Sequence, residues 1–360
     1  MIRVALDTSA LFVTQAGVAR YIRGLLSGLA EMARPSIAIQ QFAWERENFG
    51  FRQPQRSLKT VYRDIVWRCV VAPFQLRRLS PDLFHSPAGG YVRPGRSIRW
   101  TMTLHDLAVF RFPERYRPWH RHHSRRWARL ALQADRVICI SQFTADEAMA
   151  VLGIRAAKLE VVYNGCDFHP SAPTPQECRP ELELPAEYFL FVGSLEPGKN
   201  LALLRQVYEV AASRGNSLPP LVIVGARWAG VPGEGRPPLN WHYLGRQPDA
   251  VLVYLYRRAL ALVFPSKYEG FGLPVAEAMA LGCPVICAPV SSLPEVGGEA
   301  PFYAPLSLEP WLAALAEIAH NGNRRRECIE AGRQQAEKFS WLRCAERTAA
   351  VFESTVRHPQ

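Results

Sequence analysis

The chain has 360 residues, of which 48% are hydrophobic and 21% charged, and it carries a formal net charge of +11. That length suits two domains of roughly 100–200 residues each, and the composition excludes a disordered or fibrous chain. No apolar run approaches the ~20 residues that cross a bilayer, and the first residues lack the apolar core of a signal peptide, so a cytoplasmic protein is expected.

Residues 2–7 read as a first strand, and residues 19–32 as a helix marked by Tyr21, Ile22, Leu25, Leu26 and Leu29. Gly17 opens that helix, either as a plain tight turn or as a point where a phosphate or sugar reaches backbone amides. Residues 45–68 mix Arg46, Arg52, Arg56, Lys59, Arg63 and Arg68 with aromatics, and fit equally a surface facing an acceptor or lipid and a solvated loop before a helix over 61–79. Residues 82–87 end a short strand at a polar loop and include His85. Residues 100–104 form another strand, which ends at His105 and Asp106. A His and an Asp leaving a sheet edge together point to a site, with His105 donating to a sugar or phosphate oxygen, although a lone His is more often structural.

Residues 111–129 are strongly basic, and Arg121, Arg125 and Arg129 share one helical face. With Trp119 and Trp127 nearby, that face suits an anionic membrane surface, or it is simply solvated. Residues 1–168 hold 25 Lys+Arg against 13 Asp+Glu, whereas residues 169–360 hold 18 against 19. The basic half favours a membrane or anionic acceptor, and no nucleic-acid motif accompanies it. A strand over 134–141, a helix over 144–152 and a strand over 158–162 follow, and the Pro-rich stretch 170–185 reads as a linker.

A second strand series opens at 188–194. Lys199 stands just before a helix over 201–214, where an ammonium and free amides suit a diphosphate. Strands over 221–225 and 241–244 and a helix over 251–258 lead to a buried strand at 262–264. Next comes a turn with Gly270 and Gly272, then Pro274, a helix over 275–281 and a strand over 284–288. The turn lies at the carboxyl edge of a parallel sheet, where such sheets bind ligands. Glu269 and Glu277 flank it, with Glu277 expected in the first helical turn. Carboxylates for hydroxyls and glycine-freed amides for oxyanions suit a sugar on a nucleotide diphosphate; a plain strand-to-helix junction is the alternative. Helices over 311–320, 324–339 and 341–356 close the chain, and the eight cysteines, with no C-x-x-C pair, read as reduced thiols.

Six segments, in order, carry a resemblance: G-V-A-R-Y-I at 17–22, T-L-H-D-L-A-V-F-R-F-P-E-R-Y at 103–116, A-D-R-V-I-C-I-S with V-V-Y-N-G-C-D at 134–167, E-P-G-K-N at 196–200, E-G-F-G-L-P-V-A-E-A-M-A-L-G-C-P-V-I at 269–286, and S-S-L-P-E-V at 291–296. Together they resemble the retaining GT-B glycosyltransferases of family 4 (group 1), in the mannosyltransferase-like branch. The resemblance implies an α/β, GT-B fold with two doubly wound Rossmann-like domains facing a cleft. Residues 1–168 would bind the acceptor and 169–340 the nucleotide-sugar donor, and a helix in 341–360 would cross back to the first domain.

The family pattern gives Glu269 the sugar hydroxyls, Glu277 the ribose, and the amides around Gly270, Phe271, Gly272 and Leu273 the sugar and phosphate. Gly17, Ser194, Gly225 and Arg246 join the donor side, and Arg20 and His85 are acceptor or phosphate candidates. His105, Asp106, Lys199 and Glu269 are the catalytic set; Gly198 stands where the family usually has Arg, which leaves Lys199 as the matching cation. The implied reaction moves a hexose, best mannose from GDP-mannose, to a hydroxyl of a glycan or lipid-linked glycan in surface-polysaccharide synthesis. It would retain anomeric configuration and need neither metal nor cofactor, and the sequence has no Asp-x-Asp. A UDP-hexose-dependent transferase, a GT-B nucleotide-sugar epimerase and a non-catalytic sugar-binding protein stay open.

Overall fold

The structure, a computed structural model, describes residues 1–12, 17–32, 34, 36–44, 62–89, 92–95, 97–167, 184–227 and 238–357. The expectations for residues 45–61 and for nearly all of the Pro-rich stretch lie outside these. The chain divides into two compact units, one made of Met1–Gly165 with Trp341–Gln360 and the other of Cys166–Ser340.

In the first unit helices separate most of six strands, the third and fourth being joined without one among the described residues. They are β1 (Ile2–Asp7), β2 (Ile37–Phe42), β3 (Leu83–Ser86), β4 (Arg99–Leu104), β5 (Arg136–Cys139) and β6 (Leu159–Val161). All pair in parallel, in the order β2-β1-β3-β4-β5-β6. Strands covered on both faces read as near-continuous apolar runs, and β3 is buried along its whole length. β2, a half-exposed edge strand with Gln40 and Gln41, escaped the sequence reading because its apolar signal is weak. The helix expected over 61–79 is two pieces, a π-helical stretch Tyr62–Val71 running into an α-helix Ala72–Leu79.

The last helix, Trp341–Arg357, packs on the Gly17–Met32 helix and closes this unit. Small residues let the two approach. A Cβ on Gly24 would lie 2.1 Å from the Trp341 ring, and one on Gly28 would lie 2.3 Å from the Trp341 carbonyl. Farther along, Phe352 is sealed against Val4 and Leu83.

The second unit repeats the plan with β7 (Phe189–Val192), β8 (Leu221–Val224), β9 (Trp241–Gly245), β10 (Ala261–Phe264), β11 (Val285–Cys287) and β12 (Phe302–Tyr303). Its parallel order is β12-β11-β10-β7-β8-β9. β12, only two residues long, was below the reach of pattern reading. Phe189, Phe191, Ile223 and Val263 meet Leu204, Val207, Trp311 and Leu315 in the core on one face of this sheet.

Candidate functional site

Strand order in the second sheet reverses between β7 and β10, which are neighbours although β8 and β9 come between them in the chain. Ligand crevices form outside the carboxyl ends of strands at such a point. Two segments emerge there, residues 193–200 after β7 and 265–272 after β10, and they are tied to each other. Lys199 Nζ forms an ion pair with Glu269 Oε1, and Lys267 N donates to the Gly198 carbonyl at 2.8 Å. The two charged side chains are 16% and 12% exposed, so water screens this pair far less than a surface ion pair. The ammonium also stands 5.1 Å from the centre of the Phe264 ring.

Glu269 is gripped along its length. Ser266 Oγ donates to the same carboxylate oxygen, Glu269 N donates to Ser291 Oγ at 2.9 Å, and Ser292 Oγ donates to the Glu269 carbonyl at 3.0 Å. Ser291 holds a left-handed backbone at φ 53°, unusual for a residue with a side chain. Ser291 and Ser292 lie in the quoted S-S-L-P-E-V string and Ser266 stands three residues before Glu269, yet nothing in their spacing announces that they clamp an acid.

Glu277 corrects an expectation. The helix spans Leu273–Ala280, so this carboxylate lies in the second turn and not the first. What holds it is a side chain: Tyr256 Oη donates to Glu277 Oε2 at 3.2 Å, and Glu277 is 3% exposed. Of the loop residues, Phe271 is buried edge-on against Phe339 at 5.4 Å, which leaves its backbone as the part available to a ligand. Gly272, at φ 90°, packs so closely on Leu293 that a Cβ would come within 2.5 Å of it.

Gly225, after β8, is forced to be glycine: a Cβ there would lie 1.7 Å from the Gly193 carbonyl oxygen. Ser194 is half-buried beside it, and Arg246 is exposed after β9. The second unit therefore brings Lys199 and Glu269 into contact, with Ser194 and Gly225 on the neighbouring turns.

In the first unit, His105 follows β4 directly. Its Nε2 lies 2.6 Å from the Pro87 carbonyl. A carbonyl only accepts, so Nε2 carries the proton. Burial lowers the affinity of the ring for a second proton, against the opposing Pro87 hydrogen bond and the Asp106 charge, and in the neutral ring Nδ1 is an acceptor. The donor role expected for His105 is thus spent inside the protein. Tyr21 packs edge-on to His105 with centroids 5.0 Å apart, and its hydroxyl lies 3.1 Å from Thr103 Oγ1. Periodicity read Tyr21 only as a core residue of its helix.

Asp106 is exposed and accepts the Ala108 amide at 3.0 Å, at the start of the short helix Ala108–Arg111. His85 is sealed in the core. Its ring nitrogens lie 2.9 Å from Thr101 Oγ1 and 3.3 Å from Thr103 Oγ1, and the ring packs 5.0 Å from Phe352. Burial drives its pKa down to about 3, and both nitrogens are occupied, so it offers nothing to an acceptor or phosphate in this arrangement. Gly17 is exposed with open space around it, and Arg20 is half-buried in the same helical turn.

Residues 177–335 match the family described as glycosyl transferases group 1, and residues 16–169 match glycosyltransferase family 4. The O-antigen chain mannosyltransferase B of Escherichia coli is 32% identical over 298 residues, covering 77% of this chain and 76% of that protein. The serotype-specific mannosyltransferase WbdA of Escherichia coli is 32% identical over 219 residues, which are 53% of this chain and 27% of that longer protein. Among solved structures, the sucrose-phosphate synthase of Thermosynechococcus elongatus aligns with a TM-score of 0.74 at 18% identity, over 99% of this chain and 100% of that one. Anabaena HepE in complex with UDP and glucose aligns at 0.67 and 17% identity, over 98% and 100%. The structural likenesses carry the fold and the sequence relatives carry the family. With its paired parallel-sheet units and its matches over both, the chain belongs to the group 1, family 4 glycosyltransferases and has the GT-B fold.

Proposed function

We propose that this glycosyltransferase moves mannose from GDP-mannose to a hydroxyl of a glycan or lipid-linked glycan, with retention of anomeric configuration and without a metal, in surface-polysaccharide synthesis. The observation that carries the donor site is the Lys199–Glu269 pair at the strand-order reversal of the second sheet. The choice of mannose is supported by the two Escherichia coli mannosyltransferases related to this chain.

In the proposed reaction the bond between sugar C1 and the diphosphate oxygen breaks. A bond from C1 to the acceptor oxygen forms on the same face, and the acceptor proton passes to an oxygen of the departing diphosphate. Negative charge grows on that diphosphate. Lys199 and the backbone amides of residues 270–273 neutralise it, the kind of preorganised electrostatic help that often dominates catalysis. Glu269, fixed by Ser266, Ser291 and Ser292, orients the sugar hydroxyls. Glu277 takes the ribose, with Tyr256 fixing one of its oxygens. Ser194, Gly225 and Arg246 serve the nucleotide, and Gly17 and Arg20 the phosphate or acceptor. His105, with Nε2–H committed to Pro87, accepts a hydrogen bond from a sugar hydroxyl through Nδ1. Asp106, beside it, supports its placement.

The enzyme would work at the cytoplasmic face of a membrane, held by its basic half. Among the described residues no helix is long and apolar enough to cross one. The test is transfer from radiolabelled GDP-mannose and a panel of UDP-hexoses to a lipid-linked glycan extract, in chelator, with NMR of the product anomer. Mannosyl product with the donor's anomeric configuration supports the reading. Transfer from a UDP-hexose alone overturns the donor, and conversion of donor without acceptor overturns the reaction class.

A further inference from the structure

A cavity of about 540 Å³ lies along the Pro118–Arg129 helix of the first unit, lined by Arg93, Arg121, His122, Arg125, Arg126 and Arg129 with no carboxylate. Arg121, Arg125 and Arg129 recur every four residues, and Arg93 joins them from the segment before β4. Among the described residues none of these five guanidinium groups has an ion-pair partner. Arg125 and Arg129 stand 5.5 and 5.9 Å from the Phe110 ring, and Arg125 Nε is buried with no hydrogen-bond partner.

Arg111 shows the contrast. At the end of the short helix Ala108–Arg111, it makes two hydrogen bonds to the Glu147 carboxylate, at 2.8 and 2.6 Å. The fold supplies a counter-charge for that arginine and none for the five around the cavity. Five like charges held about one concavity repel, and a ligand that enters recovers most if it brings several negative charges. A neutral sugar brings none and a carboxylate brings one. A diphosphate brings two or three, on oxygens that match the planar forks of arginine.

We propose that this cavity is a binding site for a diphosphate group, carried either by a soluble phosphate ester or by a lipid head group. The concave shape distinguishes it from a diffuse basic face, because a walled site lets several guanidinium groups converge on one anion. The site belongs to the first unit and does not depend on the sugar assigned to the donor loops.

The experiment titrates inorganic pyrophosphate by calorimetry into the wild-type chain, Lys199→Ala, and the double variant Arg121→Gln/Arg125→Gln. The expected result is that Lys199→Ala, which removes the donor-loop cation, still binds pyrophosphate, and that the affinity is at least about tenfold weaker in the double variant. Arg126→Gln, at an exposed position, gives a second reading with a smaller loss should the double variant melt early. Sedimentation with phosphatidylglycerol and phosphatidylcholine vesicles then separates the sources. Pelleting with the anionic vesicles that pyrophosphate reverses assigns a lipid-borne group, and pyrophosphate binding without pelleting assigns a soluble one. No pyrophosphate binding, binding lost in Lys199→Ala but kept in the arginine variants, or pelleting that pyrophosphate does not reverse overturns the proposal.

Discussion

Lys199 Nζ and Glu269 Oε1 meet across 70 positions of sequence, joining the segment after β7 to the segment after β10. Each is held in place before any ligand arrives, so neither charge has to be ordered during the reaction. Lys199→Ala should slow turnover by about 10²–10³-fold while the Michaelis constant for the donor changes little, because the charge it meets grows towards the transition state. Steady-state kinetics with varied donor checks this. A large rise in the Michaelis constant at normal turnover would show that the ammonium serves ground-state binding alone.

Glu277 and Tyr256 give a graded pair. Removing the tyrosine hydroxyl as Tyr256→Phe deletes one hydrogen bond to a buried carboxylate and should weaken donor binding about three- to tenfold. Glu277→Ala should weaken it more, since the proposed ribose contacts go with it. Calorimetry with the nucleotide sugar measures both. Wild-type affinity in Glu277→Ala would remove the ribose role.

The approach of the Gly17–Met32 helix to Trp341 predicts a packing effect. Gly24→Ala places a methyl group inside the indole ring position and should cost about 1–3 kcal/mol in urea unfolding. Gly322→Ala is the control, because its nearest neighbour would be Arg325 Nη2 at 3.7 Å; it should change stability by less than ~0.5 kcal/mol. Equal effects at the two positions would contradict the tight approach.

His85 predicts acid sensitivity. Its ordinary pKa of 6.5 falls to about 3 on burial, so below about pH 6.5 the unfolded chain takes up a proton that the folded one refuses. Stability from this group is therefore full above pH 6.5 and lost as the pH falls towards 3, by up to ~1.4 kcal/mol per pH unit. His105, also shifted down by burial, adds in the same direction. Tm measured from pH 7.5 to 5 should slope less in His85→Gln than in the wild type, and identical slopes would place the effect elsewhere.

Much of the fold could be read in advance because buried parallel strands such as Phe189–Val192 are continuous apolar runs, and glycine and proline mark the turns between them. The placement of Lys199 after β7 and of Glu269 at the turn after β10 was legible, because glycine and proline mark where strand gives way to loop. The site was not legible where a role depends on a partner far along the chain. Nothing local to Tyr256 points to Glu277, and nothing local to His105 says that Pro87 will take its proton. His85 shows the reverse error: a histidine at a strand end looks reactive, but residues of a neighbouring strand and the last helix enclose it. Glu277 moved out of the first turn because the helix begins at Leu273, ahead of Pro274.

The Trp341–Arg357 helix has a consequence for how the protein is made. All of Cys166–Ser340 is synthesised between the body of the first unit and the helix that completes it. Until that helix leaves the ribosome, the Gly24–Gly28 face and the apolar side of Val4 and Leu83 stay bare to water, a natural target for chaperones. The second unit is continuous in sequence and can mature first, so expression of residues 166–340 alone is the rational fragment, whereas a fragment ending at Gly165 would be sticky.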